Sequence, residues 1–368
     1  MIALNDLARH HAPLRAELEA AMARVHDRGW YILGPEVEAF EREFAAYLGV
    51  AECIAVGNGT DALELALRAL TVGSGDAVAT VANAGMYATT AIRAVGAVPA
   101  YVEIDPATLE MDPAALAAVE QERLRAIVAT HLYGRLADIA ALGRIARERR
   151  IPLIEDCAQA HGARRGGHHA GTHGLLGCFS FYPTKNLGAL GDAGAIVTDD
   201  RPLAAKLRAL RVYGWGAKYH CTMQGGMNSR MDELQAAVLR AKLPHLDRWN
   251  RRRREIAARY TVAIRHPCVV LPPFVDDGTD VAHLYVVRTG ARESLRDHLK
   301  AAGISTDIHY PVPDHRQPGA GIVPPKGLAH TDRVCAEVLS LPCYPELTDA
   351  EVDVVAAACN RWQPATRS

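Results

Sequence analysis

In the stretch FSFYPTKNLGALGDAGAIVTDD, residues 179–200, Lys185 is one of six lysines in a chain of 368 residues that carries 35 arginines. Set between Pro183 and the glycines at 188, 191 and 194, a lysine can do what arginine cannot. It can lose its proton, attack a carbonyl as a nucleophile and later act as a general base. Twenty-nine residues upstream, IPLIEDCAQAHGA carries Asp156 at the end of an apolar run, with Gln159 three residues on. A carboxylate in that place caps a helix or faces a ligand. An aspartate that can keep a ring nitrogen protonated and a lysine whose amine can form an imine are the minimal kit for pyridoxal 5′-phosphate (PLP). A phosphate site can come from GNGTDAL, residues 57–63, where the N–H groups of Gly59 and Thr60 and the Thr60 hydroxyl meet a helix start. Asp61 would repel a phosphate there unless it points away. The turn is neither G-x-x-x-x-G-K-[ST] nor G-x-G-x-x-G, which removes the main support for nucleoside triphosphate or dinucleotide binding. Taken alone, an Asn-capped helix would read the same.

Elements able to position these groups are visible along the chain. In EVEAFEREFAAYLG, residues 36–49, Val37, Phe40, Phe44 and Leu48 follow a 3-4-4 spacing that predicts a helix with one apolar face. A second helix is expected to follow the turn at 57–70. Short apolar runs at 77–82, 97–104, 125–134, 151–158 and 193–199 alternate with helical patterns. That alternation predicts an α/β fold with a mainly parallel sheet wrapped by helices, and ligands outside the carboxyl ends of its strands. From Met231 to about Ile264 a long helical pattern is broken once, at Pro244. The domain change is placed there, giving a large domain at 1–245 and a smaller α/β domain at 246–368.

Composition narrows the function. With 41 basic and 42 acidic residues the formal charge is −1, so no global field favours nucleic acid or an anionic membrane. The basic run RWNRRRRE, residues 248–255, reads as a solvated helix face. No 18 apolar residues run together and the N-terminus has charges throughout, which points to a cytoplasmic protein with no membrane span. Eight cysteines without a C-x-x-C are expected to be reduced thiols. GGHHAGTHG, residues 166–174, reads as a hairpin turn, because three histidines without a carboxylate or cysteine beside them fit no common metal site.

NGTDALELAL, HLYG (131–134), EDCAQAHGA (155–163), FSFYPTKNLGALGD (179–192) and MNSRMDELQAAVL (227–239) resemble, in order and spacing, the DegT/DnrJ/EryC1/StrS aminotransferases. These are PLP enzymes of the aspartate aminotransferase fold (fold type I) that aminate keto sugars, and the resemblance extends from residue 29 to 318. It implies a seven-stranded-type sheet between helices, with a smaller C-terminal α/β domain. By position it makes Lys185 the Schiff-base lysine, Asp156 the partner of the pyridine nitrogen and Gln159 the partner of the ring's phenolic oxygen. Gly59, Thr60 and Ser180 would hold the phosphate, with Asn228 entering from a second subunit, so an obligate homodimer with shared active sites is implied. Where many relatives place Phe or Trp over the ring, Met86 stands here, with Tyr87 as the alternative. Tyr182, His309 and Tyr310 fall in the sugar-binding segments. Lys218 matches a diphosphate ligand, and Arg230 would hold the amino donor's carboxylate or else pair with Asp232. The wording of HLYG, FYPTKNLGALGD and HYPVPDH looks most like the branch that aminates C3 of nucleotide-linked, dTDP-type 3-keto-6-deoxyhexoses. L-Glutamate would be the donor, with pyridoxamine phosphate formed between the two halves. The alternatives are amination at C4 of a 4-keto sugar, or a PLP-binding regulatory protein without turnover.

Overall fold

Short runs rich in alanine, valine and isoleucine form seven strands: β1 Glu52–Val56, β2 Ala77–Thr80, β3 Val98–Tyr101, β4 Leu124–Thr130, β5 Leu153–Asp156, β6 Leu176–Ser180 and β7 Gly194–Thr198. The computed structural model describes residues 1–320 and 327–364. Across the sheet the order is β1-β7-β6-β5-β4-β2-β3. The pairs β3–β2, β2–β4, β4–β5 and β5–β6 are parallel, and β7 runs antiparallel to both its neighbours. The sheet therefore presents the ends of β1, β4, β5 and β6 and the start of β7 along one edge. Both faces are covered: Ile54 and Val56 of β1 enter one core while Cys53 and Ala55 enter another, as the two-residue period of a strand requires. β1 and β6 are the two strands that the sequence pattern did not announce. Each is five residues long, and both ECIAV and LGCFS lack the polar–apolar alternation or β-branched run that marks a strand.

The helix Pro35–Leu48 buries Val37, Phe40, Phe44 and Leu48, the face predicted from their spacing. Its N-terminus is capped from across the chain. The fully buried Glu233 carboxylate accepts the N–H groups of Gly34, Glu36 and Val37 at 2.9, 2.9 and 2.8 Å, putting a negative charge at the positive end of the helix dipole.

From Leu246 onward the helix Leu246–Ala263, the antiparallel pair Tyr285–Arg288 and Val338–Leu341, and the helix Asp349–Arg361 share a core that includes Tyr260, Val287, Leu339 and Trp362. Of the segment expected to be a separate domain, residues 321–326 and 365–368 lie outside the described residues. The arginine run departs from its expected solvated face. Arg253 is buried, with its guanidinium donating to the carbonyls of His283 and Cys343 at 3.1 and 2.5 Å. Arg252 bonds Leu347 O and Asp349, and Arg254 bonds Asp276. The run thus fastens its helix to the C-terminal elements, and Arg251 remains exposed. All eight cysteines are unpaired thiols, six of them buried. Among the described residues no helix is long and apolar enough to cross a membrane.

Replacing Glu233 by alanine leaves three helix-start N–H groups without an acceptor inside the protein, and should lower unfolding stability by about 2 kcal/mol. A urea midpoint within error of wild type would contradict the role given to this carboxylate.

Candidate active site

Beyond the end of β1 the chain passes through Gly57 to Asn58, whose Oδ1 accepts the Asp61 N–H at 2.8 Å and starts the helix Gly59–Ala69. The Asp61 carboxylate accepts the Ser229 hydroxyl at 2.6 Å and is thereby engaged away from the first-turn N–H groups. The repulsion expected from it is therefore averted. A Cβ on Gly59 would stand 2.6 Å from Ser180 Cβ, so only glycine lets this helix start lie against the end of β6. Gly59, Thr60 and Ser180 consequently form one cradle of N–H and hydroxyl donors, the chemistry that a phosphate dianion requires.

Asp156 closes β5. Its Oδ1 accepts the Ala158 N–H at 3.1 Å and its Oδ2 the Thr130 hydroxyl at 3.4 Å. Burial pushes its pKa up, opposed by the Ala158 N–H and by the charge of Lys185. A protonated ring nitrogen is the kind of cation that would keep such a carboxylate ionised. Behind it, His131 Nδ1 accepts the Ala137 N–H at 3.1 Å, which puts the ring proton on Nε2, pointing at Glu155 Oε2 at 2.9 Å. Burial alone would raise Glu155, yet His131 and the N–H groups of Gly174 and Gly171 hold it below the usual carboxylate range. Cys157 completes a buried His–Glu–Cys group. Its carboxylate and imidazole are already engaged with protein donors and acceptors, so the group buttresses β5 rather than holding a metal. Of the three histidines at 168, 169 and 173, His168 and His169 pair with Arg165 and Arg164 across a hairpin, the His168 and His173 rings meet edge-on at 5.9 Å, and His169 packs instead on Tyr47.

Lys185 sits in a loop held from all sides. Ala189 N–H bonds Phe181 O at 2.7 Å and the Lys185 N–H bonds Tyr182 O at 2.8 Å. Gly188 packs so closely that a Cβ there would lie 2.3 Å from Pro183 O. The buried Lys242 ammonium donates to Gly188 O at 2.7 Å. The neighbour of Lys185, Asn186, donates to Asn250 Oδ1 and Val281 O and accepts from His283 Nδ1 at 2.9 Å, which fixes the proton of that imidazole on Nδ1. Burial lowers Lys185 from its ordinary 10.5 to about 8, with Asp156 pulling the other way. Near neutral pH a usable fraction of the amine is therefore the nucleophilic free base.

These groups meet in one cavity of about 660 Å³ at the carboxyl edge of the sheet, lined by Gly59, Thr60, Asp156, Gln159, Ser180 and Lys185 together with Tyr182, His309 and Tyr310. Gln159 accepts the Tyr133 N–H at 2.6 Å and donates to the Tyr310 hydroxyl at 3.1 Å, which leaves one amide hydrogen for a ligand. His309 Nδ1 is tied to Ser340 Oγ at 2.8 Å, and the Tyr133 hydroxyl bonds its carbonyl. Met86 is not part of the lining. It takes φ 71° at the start of the helix Tyr87–Ala94 and gives its N–H to Asp314. Tyr87, one residue on, faces the cavity, edge-on to Tyr310. Asn228, Lys218 and Arg230 are likewise outside the cavity of this chain. Asn228 is exposed, and Lys218 lies over the Tyr219 ring at 5.1 Å beside an exposed hairpin. Sequence reading missed Asn5, Thr184, Asp192, His283 and Asp307 in the lining. Thr184, Asp192 and Asp307 had a signal, since each stands within a quoted motif or two residues from His309. Asn5 and His283 had none.

A half-buried amine and a buried carboxyl beside a phosphate cradle, at the carboxyl edge of a mostly parallel sheet, define a PLP enzyme of the aspartate aminotransferase fold. The profile of the DegT/DnrJ/EryC1/StrS aminotransferase family matches residues 13–360, and the chain belongs to that family of sugar aminotransferases. It is 45% identical over 360 residues to the dTDP-3-amino-3,4,6-trideoxy-alpha-D-glucose transaminase of Streptomyces venezuelae, covering 97% of this chain and 95% of that one. It is also 45% identical over 362 residues to the dTDP-3-amino-3,6-dideoxy-alpha-D-galactopyranose transaminase of Aneurinibacillus thermoaerophilus, covering 98% and 99%. The crystal structure of S. venezuelae DesV in complex with a ketimine intermediate superposes with a TM-score of 0.94 at 44% identity, covering 98% of each chain.

Because the folded-state pKa of Lys185 lies below its unfolded value, folding releases its proton between about pH 8 and 10.5, and the stability it contributes rises with pH across that window. In cofactor-free protein, amine-reactive labelling of Lys185 should rise with a midpoint near 8. A midpoint near the ordinary lysine value of 10.5 would contradict the site's electrostatics.

Proposed function

We propose that this PLP-dependent sugar aminotransferase transfers the amino group of L-glutamate to C3 of a dTDP-linked 3-keto-6-deoxyhexose, working as a homodimer. The observation that carries the reading is the single cavity joining the Lys185 amine, the Asp156 carboxyl and the Gly59–Ser180 cradle. PLP, when bound, supplies an aldehyde for amines and a ring that draws electrons from the carbon bearing the nitrogen. Gly59, Thr60 and Ser180 bind its phosphate. Asp156 holds the proton at the pyridine nitrogen, and burial makes that hydrogen bond stronger than it would be in water. Gln159 directs its remaining amide hydrogen at the phenolic oxygen. Tyr87 shields the ring face in the place assigned to Met86 by position.

Lys185 would hold the cofactor through its amine and would move a proton between the substrate carbon and the cofactor's C4′ in both halves of a ping-pong cycle. Its lowered pKa suits both duties, because the same group must be neutral to take the proton and protonated to return it. Tyr182, His309 and Tyr310 receive the sugar. Asn228, Lys218 and Arg230, all outside this chain's own cavity, belong to the half of the site that a second subunit completes: Asn228 for the phosphate, Lys218 for the nucleotide diphosphate and Arg230 for the donor's carboxylate. The position of amination rests on two supports, the wording around Lys185 and His309 and the two 45%-identical relatives named as 3-amino sugar transaminases.

A carbonyl one carbon away would be displaced by more than about an ångström, and such misplacement costs on the order of a hundredfold in rate. Run backward with 2-oxoglutarate, dTDP-sugars aminated at C3 should therefore form glutamate about a hundred times faster than their C4 counterparts. A better C4 amine would overturn the position and leave the cofactor chemistry standing. Absence of any turnover would favour the regulatory alternative.

A further inference from the structure

The N-terminal stretch reaches the active-site cavity, where Leu4 and Asn5 form part of the wall. It is tethered on both sides. Upstream, Ile2 pairs in parallel with Ile304, its N–H donating to Gly303 O at 2.8 Å and its carbonyl accepting from the Ser305 N–H at 2.9 Å. Downstream, Asp6 caps the helix Leu7–His11 by accepting the Arg9 N–H at 3.0 Å, which leaves the Asn5 amide to the cavity. Arg9 then grips Glu351 at 2.9 and 3.0 Å, His10 bonds Glu346 at 2.8 Å, and His11 meets the Lys242 ammonium at 2.9 Å. The last contact ties the arm to the Lys185 loop, because Lys242 also holds Gly188 O.

The parallel register has a consequence for chemistry. Three residues beyond the paired Ile2 and Ile304 stand Asn5 and Asp307, and both line the cavity. Asp307 is itself held by backbone pairing to Ser340, and its Oδ2 lies 3.9 Å from His309 Nε2. An amide with two donors and an acceptor and an acceptor-only carboxylate, whose Oδ1 takes the Ile308 N–H at 2.8 Å, line the same cavity, and together they suit the hydroxyls of a sugar, which can give a hydrogen to one group and take one from the other. The carboxylate disfavours the other ligands of this cavity, since it would repel both carboxylates of glutamate and the diphosphate of a nucleotide. We propose that Asn5 and Asp307 form a hydroxyl-binding edge of the sugar site, one that acts on the sugar alone and not on the amino donor. The inference rests on the sugar-aminating reading above but not on which carbon is aminated.

The two half-reactions separate the cases, because each changes the absorbance of the cofactor and can be timed alone. With glutamate, Asn5→Ala and Asp307→Ala should react within twofold of wild type. With the keto sugar, kcat/KM should fall about tenfold for Asn5→Ala and on the order of a hundredfold for Asp307→Ala, as expected for a neutral and a charge-assisted hydrogen bond. Asp307→Asn, which keeps an acceptor and the shape but not the charge, should recover about tenfold of that loss. Thermal midpoints equal to wild type show that the arm still docks, and any variant that melts early is judged on Asp307→Asn alone. Sugar kinetics unchanged in both alanine variants would overturn the proposal, as would an equal loss in the glutamate half. If wild type prefers a C4 carbonyl, the assigned position falls and the same comparison is made with that sugar. If the variants match wild type on the preferred sugar, the hydroxyl edge falls and the function stands.

Discussion

A half-buried amine and a buried carboxyl at the carboxyl edge of one sheet set the conditions for everything around them. Burial disfavours the charged form of each, lowering Lys185 to about 8 and raising Asp156. Each partly offsets the other's penalty, and the pairing works only if neither can drift. β5 carries Asp156 at its last residue, and the β5 backbone is pinned by parallel pairing to β4 and β6. Lys185 has no strand under it, so its loop is secured by Lys242, Asn186 and the tight approach of Gly188 to Pro183.

The supporting groups are themselves buried and polar, and their placement follows one rule: the charged head groups are met by protein partners, although single atoms such as Arg253 Nε go without one. Glu155 takes hydrogen bonds from His131, Gly171, His173 and Gly174. Glu233 takes three from a helix start, and the Arg253 guanidinium serves carbonyls of the C-terminal elements. Single removals in such networks are costly because the group left behind stays buried without a partner. The same rule lets His283 face the cavity as a neutral ring with a known tautomer, since Asn186 settles where its proton lies.

Much of this was legible in the sequence because residue type carried it. A rare lysine among many arginines and an aspartate at the end of an apolar run announced their chemistry, and the helix at 36–49 announced its buried face by spacing. What stayed hidden depends on contacts between distant segments. Asn5 reaches the site through a strand-like pairing some 300 residues away in sequence. His283 reaches it through Asn186. Arg253 resembled its exposed neighbours until the fold placed carbonyls around it. That Tyr87 rather than Met86 lines the cavity turns on one backbone angle at a helix start, so the sequence could offer both residues but not choose between them.

Among the described residues Lys185 and Lys242 both have their pKa lowered to about 8, and of the two only Lys185 lines the cavity. That contrast permits a direct measurement. Protein incubated with PLP, reduced with borohydride, digested and weighed by mass spectrometry should carry the pyridoxyl group on the peptide containing Lys185 and nowhere else. A label on Lys242, or a protein that takes up none, would contradict the account of how this site is built.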